Sequence, residues 1–540
     1  MKIEENVRIA MRDGVRVYAD IYHPDAKGKF PALLSVSAYG KDMQRLPCPP
    51  RPSDYARGTG GHEAGMSDYF VARGYVHVIA EARGTGYSEG EFGSTSQRAQ
   101  DGYDLIEWIG QQPWCNGNVG MLGMSGFAVI QYHIAALHPP HLKAIFAFEA
   151  ESDRYRHGFY HGGIFNFYFS FHLWNLIPTR HNKPAILREF SKEELEQKLQ
   201  ELRNNEDIKC LPYLYILTIT PEKNPMLFDA LMHPYDGPFY WEMSAYKKFD
   251  QIEIPCYCLS RWNGWAIHLP GAFDAYLNLN APKKLMITTT DNIGGFDRPW
   301  HEHHDVVLRW YDHWLKGIDT GLMDEPPIKI LVQGINEWRY EYEWPLARTK
   351  WTKFYLRGGG LLSETPPANN ERPQSFVNTP WAQQTDPVPG VTYTTEPLKE
   401  NLEVTGPSAV YFYASLSEED ANWFVEIRDI NIDGSATVVS KGWLKASHRE
   451  LDKSKSKPYK PYHPHTRGIP VEPGEVHEYA IDIRETSYVF KRGHRIQLKI
   501  AGEDRLEGIW WHLPNMRVTE HTIYNSHQYL SYLLLPVIPK

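Results

Sequence analysis

The sequence predicts an α/β protein: a mostly parallel sheet with an inserted helical cap, followed by a C-terminal all-β domain. Three observations carry this. Short apolar runs recur through the first 150 residues, the later ones separated by helical stretches, and buried strands alternating with helices make a parallel sheet covered on both faces. From about 151 to 247 that alternation stops, and crowded aromatics and a charged helical stretch replace it. After about 345 come short strands between Pro- and Gly-rich loops, the spacing of a sandwich or jelly roll. A chain of 540 residues exceeds what one core accommodates. The expected division is 1–150 and 248–345 for two parts of one α/β domain, 151–247 for the cap, and 346–540 for a β-sandwich or jelly roll.

In chain order, residues 7–24 alternate with period two around Arg12-Asp13-Gly14, which reads as a β-hairpin. The runs at 31–39, 75–83, 119–125 and 142–150 are strands, with helices at 98–112 and 126–137. Aromatics crowd 159–174 and are expected to line a pocket through the cap as well as to pack the cap itself. Ser191 and Glu194 open a charged helical stretch and have the spacing of a capping box. The sheet resumes at 254–260 and 283–290, and a helix over 304–317 closes the domain.

Composition excludes several classes. The net charge of −9 argues against a nucleic-acid partner, whose binders carry a basic face. The five cysteines, Cys48, Cys115, Cys210, Cys256 and Cys258, are an odd number in a large chain, so a disulfide framework is not expected and a reducing compartment fits. Cys256 and Cys258 fall two apart in a strand and share a face; two half-buried thiols are the expectation. The N-terminus has no apolar leader core and no run is long enough to span a bilayer. A cytoplasmic protein acting on a small molecule, with no membrane partner, is expected; self-association is left open.

The chemistry centres on Gly123-Met124-Ser125-Gly126-Phe127-Ala128, at the end of a strand and the start of a helix. A serine on so sharp a turn is exposed above the sheet, and the amide of Gly126 at the helix start can face a developing oxyanion. The usual pentapeptide has glycine two residues after the serine, where this chain has Phe127.

Further stretches carry a family resemblance: Met11–Val15; Ala38-Tyr39-Gly40-Lys41; Arg83-Gly84-Thr85-Gly86-Tyr87-Ser88-Glu89-Gly90; Gln112–Gly120; Trp310–Gly317; Gly442–Arg449; and Phe490–Arg495. In that order they resemble the cocaine-esterase-like (CocE/NonD) hydrolases, relatives of X-prolyl dipeptidyl peptidases and α-amino-acid ester hydrolases. The resemblance implies an α/β-hydrolase fold with a helical cap and a jelly-roll domain. It also implies acyl transfer to a serine with hydrolysis of an ester or amide, and no cofactor. Ser125 matches the family's nucleophile, and Tyr39 matches the tyrosine whose hydroxyl is the second oxyanion donor beside the Gly126 amide. Asp153-Arg154-Tyr155-Arg156 also resembles the family at the junction of sheet and cap.

The serine needs a base and the base an orienting acid. At the family's acid position this chain has Asn263, which can orient a ring by hydrogen bonding without supplying charge. After the next strand it reads Asp291-Asn292 where the family has its histidine. The candidate bases are His268, five residues past Asn263, and His301 in the His301-Glu302-His303-His304-Asp305 run, with Asp291 a further candidate to orient or replace them. That run and Tyr462-His463-Pro464-His465 have metal-like spacing, but the first leads straight into the closing helix and no metal is expected. The altered positions leave three readings: a serine hydrolase of small apolar or aromatic acyl esters or amides, a non-hydrolytic enzyme (lyase, isomerase or acyl transferase) on the same fold, or a binding protein.

Overall fold

The structure, a computed structural model, describes residues 1–45, 63–170, 190–289, 300–369, 371–380, 387–506 and 509–540, with only the backbone at 300, 301, 506, 509 and 510. Cys48, Asp291, Asn292 and the 171–174 end of the aromatic run lie outside the described residues.

A ten-stranded sheet forms the first unit. Its strands are β1 (Lys2–Ala10), β2 (Arg16–His23), β3 (Phe30–Ser37), β4 (Val76–Glu81), β5 (Cys115–Met124), β6 (Leu142–Phe148), β9 (Cys256–Arg261), β10 (Lys283–Thr288), β11 (Ile328–Val332) and β12 (Glu337–Glu341). Their spatial order is β1-β2-β4-β3-β5-β6-β9-β10-β11-β12. From β4 through β3, β5, β6, β9 and β10 to β11 every pair is parallel, while β1–β2, β2–β4 and β11–β12 are antiparallel. The hairpin read from residues 7–24 is β1–β2. β4, β5 and β6 are apolar and buried along most of their length, as strands covered on both faces must be.

The helices Thr95–Gly110, Gly126–Ala135 and Leu269–Asn278 lie against one face. The helix Trp300–Lys316 covers the other. There Trp310 and Tyr311 are fully buried, and the indole of Trp310 donates to the carbonyl of Ile145 at 3.1 Å. Burying an apolar side chain is worth roughly 1.5–3 kcal/mol. It begins four residues earlier than the sequence pattern indicates, and it does not end the sheet. β11 and β12 follow it, too short and too polar on their exposed side to stand out in the sequence.

Between β6 and β9 the chain leaves the sheet. Two-residue strands β7 (Tyr160–His161) and β8 (Ile164–Phe165) and short helices pack around Tyr155, Tyr160 and Tyr240. The helix Lys192–Asn204 starts with the expected capping box: the Ser191 hydroxyl accepts from the Glu194 amide at 3.2 Å, and the Ser191 amide donates back to the Glu194 carboxylate at 2.9 Å. The C-terminal unit runs from the strand Lys350–Arg357 to the strand Tyr532–Ile538 as an eleven-stranded jelly roll. Its core is centred on Phe412, Trp423 and Tyr479, with ring centroids 4.9–5.5 Å apart. No helix among the described residues is long and apolar enough to cross a membrane. Cys256 and Cys258 are both fully buried, with sulfurs 3.7 Å apart.

Several histidines are buried without charge. His77 is flanked by the hydroxyls of Ser35 at 2.9 Å and Ser67 at 2.8 Å. The Ser35 proton is directed at main-chain carbonyls, so Nε2 donates to Ser35 and Nδ1 accepts from Ser67. Burial pushes His77 and His133 down to about 3, and His521 down to about 4. Their folded values lie below the unfolded one, near 6.5. Between the two the unfolded chain binds more protons, so stability is complete above about pH 6.5 and is lost as the pH falls. The thermal midpoint should therefore drop from pH 7 to pH 4.5, each such histidine adding a slope of up to about 1.4 kcal/mol per pH unit. A flat profile over that range would contradict this assignment.

Candidate active site

Ser125 stands at the turn from β5 into the helix Gly126–Ala135, with φ 55° and ψ −117°. The turn leaves no room for side chains: a Cβ on Gly123 would lie 2.2 Å from the Cβ of Phe127. The Ser125 amide donates to the carbonyl of Phe148 at the end of β6 at 2.9 Å, and the hydroxyl is left over the strand ends. A non-glycine residue at positive φ costs about 1–3 kcal/mol and marks a site where geometry is imposed by its surroundings.

The Ser125 hydroxyl lies 3.3 Å from Nε2 of His268. His268 follows the turn after β9 and immediately precedes the helix Leu269–Asn278. That helix approaches the chain after β6 so closely that a Cβ on Gly271 would fall 2.1 Å from the carbonyl oxygen of Ala150. The approach brings Nδ1 of His268 to 3.5 Å from the carboxylate of Glu149. Glu149 is the first residue past β6, also at positive φ (54°), and its amide donates to the carbonyl of Leu259 at 2.7 Å. Its carboxylate accepts from Nε and Nη2 of Arg261 at 2.6 and 2.7 Å. Arg261 is the last residue of β9, and it and Glu149 are 2 % and 1 % exposed. The described residues thus place Ser125, His268 and Glu149 in one chain of contacts, with the carboxylate held by a two-point guanidinium contact.

Tyr39 is in the turn after β3. Its ring lies directly over Gly126: a Cβ on Gly126 would be 2.9–3.1 Å from the phenol's Cε2, Cζ and hydroxyl. The Gly126 amide is among the first four of its helix, which the helix leaves without acceptors. Tyr39, Gly126 and Ser125 line the same cavity.

These groups open into a cavity of about 720 Å³ between sheet and cap. Phe159 and Phe169 of the aromatic run reach its wall, with Met226 and Phe239 from later in the cap. Tyr160 and Phe165 pack the cap core instead. Charged groups line it as well. Burial pushes the Glu151 carboxyl up while the facing Arg154 works the other way. Burial, and then Arg154, lower Arg98 to about 10.

The sequence-derived residues fall as follows. Ser125, Tyr39, Gly126 and His268 come together. Asn263 lies in the short turn Trp262–Gly264, and the carboxylate that faces His268 is Glu149, which the sequence reading did not single out. The one sequence signal for Glu149 is its place at the end of a strand neighbouring the elbow strand. His301 is in the first turn of the helix Trp300–Lys316, and its side chain is outside the described residues. His303 lies edge-on to Phe148, with centroids 5.4 Å apart, and His304 stacks on Tyr69 at 4.1 Å. Both belong to the packing of that helix on the sheet. Among the described residues no three His, Cys, Asp or Glu side chains converge as metal ligands.

An elbow serine within reach of an imidazole, under a cap on this sheet order, defines an α/β-hydrolase-fold serine hydrolase. Comparison with known proteins agrees. The chain belongs to the X-Pro dipeptidyl-peptidase (S15) family, whose model matches residues 13–291, and the X-Pro dipeptidyl-peptidase C-terminal non-catalytic domain matches residues 320–534. It is 27% identical to a cocaine esterase of a Rhodococcus species, over 100% of this chain and 99% of that protein. Two solved structures share the whole fold. One is a CocE/NonD family hydrolase from Staphylococcus aureus, with TM-score 0.81, 22% identity, and 99% and 94% of the two chains covered. The other is an α-amino acid ester hydrolase, with TM-score 0.76, 20% identity, and 99% and 96% covered.

The buried Glu149–Arg261 pair carries a stability consequence. Removing one partner leaves the other charged and desolvated, which costs about 3–5 kcal/mol. Arg261→Met should lower the urea midpoint accordingly, and adding Glu149→Gln to that variant, which removes the stranded charge, should recover part of the loss. A Met variant as stable as the parent at neutral pH would show that the pair is not charged.

Proposed function

We propose that this chain hydrolyses an ester or amide of a small apolar or aromatic acyl group through an acyl-enzyme on Ser125. The observation that carries the reading is the 3.3 Å contact between the Ser125 hydroxyl and Nε2 of His268 at a positive-φ elbow. Oγ of Ser125 attacks the carbonyl carbon and passes its proton to His268 Nε2. Glu149 keeps Nδ1 protonated and stabilises the imidazolium, while the Tyr39 hydroxyl and the Gly126 amide hold the oxyanion. His268 then gives the proton to the departing alcohol or amine. Water attacks the acyl-enzyme carbonyl, losing its proton to the same nitrogen. Collapse releases the acid, and the proton returns to Ser125.

The aromatic and aliphatic cavity wall supports an apolar acyl group, as does the name of the Rhodococcus relative, a cocaine esterase. Glu149 has the charge that Asn263 lacks, which favours it as the orienting acid.

A fluorophosphonate probe should label the protein, and Ser125→Ala should abolish both labelling and hydrolysis of a p-nitrophenyl ester. Hydrolysis that survives this change would sink the serine mechanism. His268→Ala should reduce kcat/KM by about 10²–10⁴-fold, and more than His301→Ala. Glu149→Gln should lose more activity than Asn263→Ala; the reverse order would give the orienting role to Asn263.

A further inference from the structure

The cavity beside Ser125 contains a cation, Arg98, that pairs with no carboxylate among the described residues. Arg98, in the helix Thr95–Gly110, lines it. Nη2 donates to the Thr95 hydroxyl at 3.0 Å, and the guanidinium lies over the Phe92 ring at 4.7 Å from its centroid. Nε is buried with no acceptor among the described residues. A guanidinium has five N–H groups, so most of its donor capacity is unused by the described residues.

The carboxylates around the cavity are engaged elsewhere. Asp101 accepts from Arg83 at 2.6 and 2.8 Å, and Glu151 pairs with Arg154. Glu81 accepts from the Tyr87 amide and Glu242 from the Ser96 amide, each at 2.7 Å. Asp229 also has an interaction of its own. Glu242 and Asp101 act on Arg98 only through space, and the neighbouring Arg154 repels it. A desolvated guanidinium of this kind is costly unless paired, and its open donors match the two oxygens of a carboxylate.

We propose that Arg98 binds a carboxylate carried by the substrate, so that the preferred ester or amide is a monoanion with an apolar body. This rests on the reading of Ser125 as nucleophile, because it names what that site's substrate carries. Phe92 and Thr95 hold the guanidinium in place, and the helix start at Ser94 and Thr95, which also lines the cavity, adds a favourable field for an anion. Arg98 acts on specificity and takes no proton.

The test is a ratio of kcat/KM values within matched pairs, which is independent of the folded fraction. One pair has the charge on the acyl side: 4-nitrophenyl hemiglutarate against 4-nitrophenyl pentanoate. The other has it on the alcohol side: 3-acetoxybenzoate against its methyl ester. Wild type should favour the anion in at least one pair by about 10- to 100-fold. Arg98→Met should remove that preference, mainly through KM, and Arg98→Lys should restore part of it. A wild-type ratio of one or less in both pairs overturns the proposal, as does a preference unchanged in Arg98→Met. If the Met variant does not fold, wild type is assayed on the pentanoate with glutarate or glutaramide as inhibitor. Glutarate should inhibit more strongly, and equal inhibition overturns the proposal. Turnover of the neutral esters in Ser125→Ala reads the nucleophile separately, so failure of that reading is distinguished from failure of this one.

Discussion

A buried carboxylate at the end of β6 is the constraint around which the hydrolase unit is arranged. Glu149 has almost no contact with solvent, and a lone ionised carboxylate in that environment would be neutralised or expelled. It is retained because Arg261, on the adjacent parallel strand, meets it with two hydrogen bonds, and because Nδ1 of His268 lies on its other side. The parallel pairing of β6 with β9 sets Phe148 beside Leu259, so the two strand ends deliver acid and guanidinium to one point. The amide of Glu149 is bound by the Leu259 carbonyl, which holds the residue in its left-handed conformation. The helix that follows β9 packs closely on the chain after β6 and places His268 between Glu149 and Ser125.

The remaining units close over this arrangement. Arg156, in the cap, binds Asp153 and Asp236 within it and the carbonyls of His463 and Pro464 in the jelly roll. Arg484 of the jelly roll reaches back to carbonyls of Arg156 and Trp265. These contacts tie cap, sheet and C-terminal unit together behind the cavity. Burial strengthens charge interactions, which is why the state of Arg98, Arg154 and Glu151 bears on what the site admits.

Much of this was legible in the sequence. Period-two alternation around a turn marked the β1–β2 hairpin, and apolar runs marked β3 to β6, β9 and β10, because strands buried on both faces are apolar along most of their length. The elbow was legible because its small residues are adjacent in the chain, and Tyr39 because the loop after the second strand of the parallel series resembles a known pattern. β11 and β12 were not, being short and half exposed. Glu149 was not, because acidic residues past strand ends are ordinary and nothing local separates one facing a histidine from one facing water.

The sequence alone thus pointed to the succession of α/β, cap and all-β segments, to the elbow serine and to Tyr39 and Gly126 beside it, all of which depend on local patterns. The tertiary structure decided which histidine meets Ser125, which carboxylate meets that histidine, and which arginine is left facing the cavity. Those pairings join residues more than a hundred positions apart, through strand register and helix approach. Such distances between side chains are properties of packing and leave no mark in the local sequence.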